Sequence, residues 1–122
     1  MINERDLSRW LEAYGAAWVN KDPAAAAALF TEDASYQETP YAEPFAGRAG
    51  IGEYWATVTK DQDDIDFSYR VLGTSGSTGF AQWSARFRLA SEDARVELNG
   101  VFVLEFADTT HVSSLREWWH VR

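Results

Sequence analysis

The chain has 122 residues, 46% of them hydrophobic and 15% aromatic, with a formal net charge of −8 and no cysteine. That length supports one domain with a real core and not two, and that apolar content excludes intrinsic disorder. The charge sets nucleic acid and anionic membranes aside as partners, and the missing cysteines exclude disulfides and thiolate metal sites.

Met1 runs directly into Asn3, Glu4, Arg5 and Asp6, with no apolar run of the length a signal peptide or membrane span needs. A cytoplasmic protein is the resulting expectation. Leu7, Trp10, Leu11, Tyr14, Ala17 and Trp18 then recur at the spacing of one helical face and predict an opening helix. Asp22-Pro23 reads as an N-cap followed by a proline at the first helical position, and residues 24–30 as a short second helix. Residues 35–55, SYQETPYAEPFAGRAGIGEYW, read as a connection rich in Pro, Glu and Tyr that leads into a third helix over 48–59, with Ile51, Tyr54, Trp55 and Val58 on one face.

After Asp61 the period changes to two. Ile65, Phe67, Tyr69 and Val71 form one strand face; Ala81, Trp83, Ala85, Phe87 and Leu89 form a second. Val96, Leu98, Gly100, Phe102, Leu104 and Phe106 form a third, and Leu115, Trp119 and Val121 a fourth. The expectation is a single α+β domain over 1–122, in which a curved antiparallel meander wraps over the N-terminal helices.

This order of elements, with YGAAWVNKDPAAAAALFTEDASYQETPYAEPFAGRAGIGEYW ahead of three long strands ending in LREWWHVR, resembles the nuclear transport factor 2-like superfamily and its SnoaL-like (polyketide-cyclase-like) and ketosteroid-isomerase-like branches. The resemblance spans essentially the whole chain and implies a cone-shaped pocket between the concave sheet face and the helices. The fold hosts isomerases, cyclases, dehydratases, epoxide hydrolases and proteins without chemistry. It also implies roles: Glu38 falls where the ketosteroid-isomerase-like pattern carries its general-base carboxylate, and Tyr14 where it carries the oxyanion-stabilising tyrosine. The pattern's protonated aspartate falls on Phe102, which neither donates nor accepts a hydrogen bond.

The alternation itself singles out Glu117, which lies in phase with Leu115, Trp119 and Val121 on an otherwise apolar face. A tight hairpin at 107–111 that keeps the apolar faces together pairs Leu104 with Leu115, Phe102 with Glu117 and Gly100 with Trp119. Either Glu117 is desolvated by Trp119, Phe102 and Leu115, which raises its pKa into the range of a general acid, or a bulge or a rim position leaves it in water. Pro40 and Pro44 stiffen the segment that would hold Glu38, Tyr36 and Tyr41 at the pocket mouth. Trp18, Tyr36, Trp55, Trp83, Phe87, Phe102 and Trp119 are expected to line a cavity for a small apolar organic molecule.

Neither histidine belongs to a ligand cluster or shares a face with a serine nucleophile, and GTSGSTG lacks the lysine and helix of a phosphate loop, so no metal and no cofactor is expected. On the outward face Trp118, Val101, Val103 and His120 form a patch suited to a homodimer contact, with Arg86, Arg88 and Arg116 as cross-strand partners of Glu97 and Glu105. Relatives commonly dimerise through this face. Two functions stay open: acid–base isomerase, dehydratase or cyclase chemistry on a small apolar carbonyl compound, and a non-catalytic ligand-binding or dimerisation module.

Overall fold

The computed structural model describes residues 1–122. Helix α1 (Glu4–Val19) starts at a reciprocal cap, in which the Asp6 amide donates to the Asn3 side chain at 2.8 Å and the Asn3 amide to the Asp6 carboxylate at 3.0 Å. Its buried stripe is the predicted one, Leu7, Trp10, Leu11, Tyr14, Ala17 and Trp18. Helix α2 (Pro23–Ala27) is capped by the Asp22 carboxylate, which accepts from the Ala25 amide at 3.1 Å. It ends earlier than the sequence suggests, because Phe30 already belongs to strand β1 (Phe30–Gln37). A two-residue strand β2 (Phe45–Ala46) follows, and helix α3 (Gly47–Thr59) buries Ile51, Trp55 and Thr59.

Four long strands complete the chain: β3 (Gln62–Ser75), β4 (Thr78–Leu89), β5 (Ala94–Phe106) and β6 (Val112–Val121). They form a curved, unclosed six-stranded sheet in the order β2-β1-β6-β5-β4-β3. The meander of β3 to β6 is antiparallel as expected, but β1 adds to it in parallel, beside β6. The periodicity predicts no strand here: the second helix is expected to reach Phe30, and the connection to begin at Ser35. The inward residues of β1 are Phe30, Ala34 and Tyr36, and a register irregularity between Phe30 and Ser35 breaks the two-residue period that would have revealed a strand.

The β5–β6 register is the expected one: Leu104 opposite Leu115, Phe102 opposite Glu117, Gly100 opposite Trp119. The helices and the concave face share one apolar core, whose centre is a lattice of aromatic rings. Tyr14 alone meets Trp10, Trp55, Phe67 and Phe102 at ring centroid distances of 5.3 to 5.6 Å, stacked on the first and edge-on to the others.

Gly100 is the one place in β5 where that lattice touches the backbone. A Cβ there would stand 2.5 Å from the Trp118 carbonyl oxygen, 2.8 Å from the Trp119 Cβ and 2.9 Å from the Trp83 ring. Two of these neighbours are backbone or attached directly to it, so no rotamer change relieves the clash. Gly100→Ala is expected to destabilise the fold by about 1–3 kcal/mol, read as a lowered denaturant midpoint at unchanged m-value. An unchanged midpoint would mean that the last two strands are packed more loosely than described.

Candidate functional site

The helical period of α1 points Tyr14 and Trp18 into the concave face, and the two-residue period of β6 does the same for Leu115, Glu117 and Trp119. Strand β1 brings Tyr36 to the same place from the far side of β6. There the Tyr14 and Tyr36 hydroxyls lie 2.9 Å apart, both buried, so one proton is shared between them and the other remains to donate outward. Burial pushes both phenols well above their ordinary pKa, and the Glu117 charge adds to it.

Glu117 is 5% exposed. Its pKa is pushed up to about 8, first by desolvation and also by the nearby charge of Glu38; the Tyr36 hydroxyl acts in the opposite sense by donating to the carboxylate. Of the two sequence alternatives, the strand phase therefore holds and the carboxyl faces the apolar side.

Glu38 follows directly on β1, half-buried, and is held at both ends. The Tyr54 hydroxyl donates to its Oε2 at 2.7 Å, and the Trp119 indole donates to its backbone carbonyl at 3.0 Å. The turn after it is fastened by Gln37, whose amide donates to the Pro40 and Ala42 carbonyls at 3.2 and 3.0 Å. The two acidic side chains thus differ in setting, one gripped near the loop and one sunk in the wall.

These groups border a cavity of about 310 Å³ with a mostly apolar lining. Of the residues singled out from sequence, Tyr14, Trp18, Tyr36, Glu38, Trp55, Trp83, Phe87, Glu117 and Trp119 all border it. Phe102 does not: its ring lies in the core, stacked on Trp83 at 5.3 Å and edge-on to Tyr14. Two placements are corrected. Tyr36 is not at the mouth but 1% exposed in the interior, and Tyr41 is 101% exposed, turned to solvent on the far side of Pro40.

Sequence reasoning missed Tyr54 as the partner of Glu38, having placed it in the core stripe of α3. It also missed Gln62, a buried amide in the cavity wall whose Oε1 accepts from the Trp18 indole at 2.8 Å. A wider depression of about 530 Å³ lies on the opposite sheet face, among exposed polar side chains such as Glu97, Asn99 and His120. It gathers no buried titratable group. Arg86 stands opposite Glu97 in the β4–β5 register as expected, but its ion pair is with Asp66 at 3.6 Å; Arg88 grips Asp63, and the Arg116 guanidinium lies 5.7 Å from the Trp118 ring centre.

Residues 3–113 match the SnoaL-like domain model. A steroid Δ-isomerase of Nocardioides simplex is 26% identical over 113 residues, covering 93% of this chain and 85% of the relative. Among solved structures, a putative isomerase of Bacillus subtilis superposes with a TM-score of 0.82 at 18% identity, covering 96% of this chain and 88% of the other. SalBIII, an epoxide hydrolase/cyclase-like enzyme of pyran ring formation in the polyether salinomycin, gives 0.80 at 19% identity, with 97% and 95% covered. A hypothetical protein of Catenulispora acidiphila with a ketosteroid isomerase-like fold, in complex with trimethylamine, gives 0.77 at 16% identity, with 88% and 82% covered. With the family model matched along nearly its whole length, the chain belongs to the SnoaL-like domain family, in the nuclear transport factor 2-like superfamily.

Proposed function

We propose that the cavity binds a small, largely apolar carbonyl compound and moves a proton on the carbon next to its carbonyl, the chemistry of an isomerase or a cyclase. The observation that supports this most directly is the convergence of Glu38, Glu117 and the Tyr14–Tyr36 pair on one apolar cavity. The steroid isomerase relative and the cyclase-like structural neighbour agree with that reaction class.

In this reading Glu38 is the general base. It takes a proton from the α-carbon, and the C–H electron pair moves into the carbonyl to leave an enolate oxygen. With Glu117 protonated, the Tyr36 hydroxyl donates to Tyr14 instead of to the carboxylate, and Tyr14 and Glu117 both donate hydrogen bonds to that oxygen. Glu38 then returns the proton at another carbon of the enolate, which shifts the double bond, or the enolate carbon attacks a second carbonyl carbon of the same molecule, which closes a ring and leaves an alkoxide that takes the proton back from Glu38. Tyr54 keeps the base aimed by holding one of its oxygens.

The rival is a binding module without chemistry, and one substrate separates them. The wild-type protein should convert 3-cyclohexen-1-one to its conjugated isomer, followed by ultraviolet absorbance. Glu38→Gln should cut the rate by about 10²–10⁴-fold while Trp quenching by 2-naphthol is unchanged, and Glu117→Gln, which keeps a donor, should cost less. Saturable quenching with no turnover above the buffer rate would favour the binding module.

The raised pKa of Glu117 has a sign that stability measurements can read. Between the unfolded value near ~4.3 and about 8, the native state keeps a proton that the unfolded chain has released. The stabilisation tied to this proton is therefore whole below the unfolded value and is lost as pH rises through the folded one, by at most ~1.4 kcal/mol per pH unit. The unfolding free energy of wild type relative to Glu117→Gln should fall steadily from pH 5 to pH 8 in guanidinium titrations. A difference that is flat across this range would place the carboxyl in water.

The outer face is proposed as a homodimer contact. Trp118 and Val101 are cross-strand neighbours, 43% and 37% exposed, in the middle of that face. Trp118→Glu would leave a charge desolvated and unpaired in such a contact. Sedimentation should show a wild-type dimer and a monomeric variant; a wild-type monomer, or a variant that still dimerises, removes this face from the assembly.

A further inference from the structure

The cavity carries polar groups at two separated places. Tyr14, Tyr36, Glu38 and Glu117 come from α1 and from the neighbouring strands β1 and β6, whereas Gln62 opens β3, three strands away from β6 across the sheet. At about 4.8 Å per strand the two lie roughly 14 Å apart along the sheet surface, and less across its curve. Between them the wall is built of the rings and aliphatic chains of Trp55, Trp83, Phe87, Leu89 and Leu98, and the indole nitrogens of the two tryptophans are fully enclosed.

Gln62 is 5% exposed, and its amide orientation is dictated by a neighbour. The Trp18 indole only donates, so the atom 2.8 Å from it must be the Gln62 oxygen, and the NH₂ group points the other way. That nitrogen makes no hydrogen bond to any protein group, yet it is not sealed off: the only fully enclosed side-chain polar atoms without partners are the Trp55 and Trp83 indole nitrogens. Gln62 itself lines the cavity. A buried amide donor without an acceptor costs free energy unless something in the cavity supplies one.

We infer that Gln62 is a second anchoring point of the binding site, so that the compound it accepts carries a hydrogen-bond-accepting oxygen at the end remote from Glu38 and Glu117, as well as the oxygen held by Tyr14. The favoured class is thus a flat, apolar molecule with an oxygen function at each end. This rests on the cavity being a ligand site, but not on Glu38 acting as a base.

Two pairs of probes test it by Trp fluorescence quenching: phenol against 4-hydroxyacetophenone, and 2-naphthol against 6-acetyl-2-naphthol. Each pair adds only an acceptor opposite the hydroxyl, at a shorter or a longer reach. For at least one pair the acetyl compound should bind wild type about three- to tenfold more tightly, the size of one net hydrogen bond. Gln62→Met, of similar length, removes the amide donor; there the acetyl advantage should disappear. Gln62→Leu, which also lacks a donor, should give the same loss if the Met variant folds poorly. Equal binding within both pairs on wild type, or an acetyl advantage that survives both variants, overturns the role of Gln62. Failure of all four probes to quench would overturn the ligand site itself, and this assignment with it.

Discussion

The pairing of the Tyr14 and Tyr36 hydroxyls inside an aromatic lattice is the contact on which the remaining architecture turns. It joins α1 to β1 beside the edge-on contact of Trp10 with Phe30, and both phenols are all but closed off from bulk solvent. Each phenol needs the other because a buried hydroxyl without a partner is costly. The rings around them fix the position of the pair, since Tyr14 meets Trp10, Trp55, Phe67 and Phe102 from several sides. The dipoles at this point are therefore held by packing, and they do not need to reorganise when charge develops near them.

The same dryness explains why one glutamate behaves unlike the other. Glu117 stands on a strand whose neighbours are Leu115 and Trp119, opposite Phe102, and the loss of hydration outweighs the help it receives from Tyr36. Glu38 lies at the loop end of β1 with Tyr54 and Trp119 gripping its side chain and backbone in turn. The protein thus gives two side chains of the same chemical type very different surroundings beside one small cavity.

Much of this could be read from residue order alone, and the exceptions have physical causes. The long strands declare themselves because their alternation runs on over most of their length, which fixed the β5–β6 register and made Glu117 conspicuous as a carboxyl in an apolar phase. Strand β1 was hidden because an irregularity after Phe30 spoils its period and because its partner, β6, lies far away in sequence. Gln62 was hidden for a related reason. Counting by twos from Ile65 turns it outward, but a register shift between Asp63 and Asp66, with Asp64 at a φ of 51°, turns it back in. Tyr54 was legible as a buried ring but not as the partner of Glu38, since nothing in helical spacing says which hydroxyl will meet which loop.

The parallel placement of β1 against β6 also bears on how the protein comes together in time. The Trp119 indole and the Glu38 carbonyl are 81 residues apart in the chain, and closing a loop of that length costs on the order of 4 kcal/mol in chain entropy before any contact repays it. The hairpins of β3 to β6 close far shorter loops, and such local contacts favour fast folding. During synthesis the loop that carries Glu38 emerges early and must wait for the last strand to leave the ribosome. The cavity is therefore completed only once β6, the last of its elements in chain order, has emerged, and until then its aromatic wall lacks that cover.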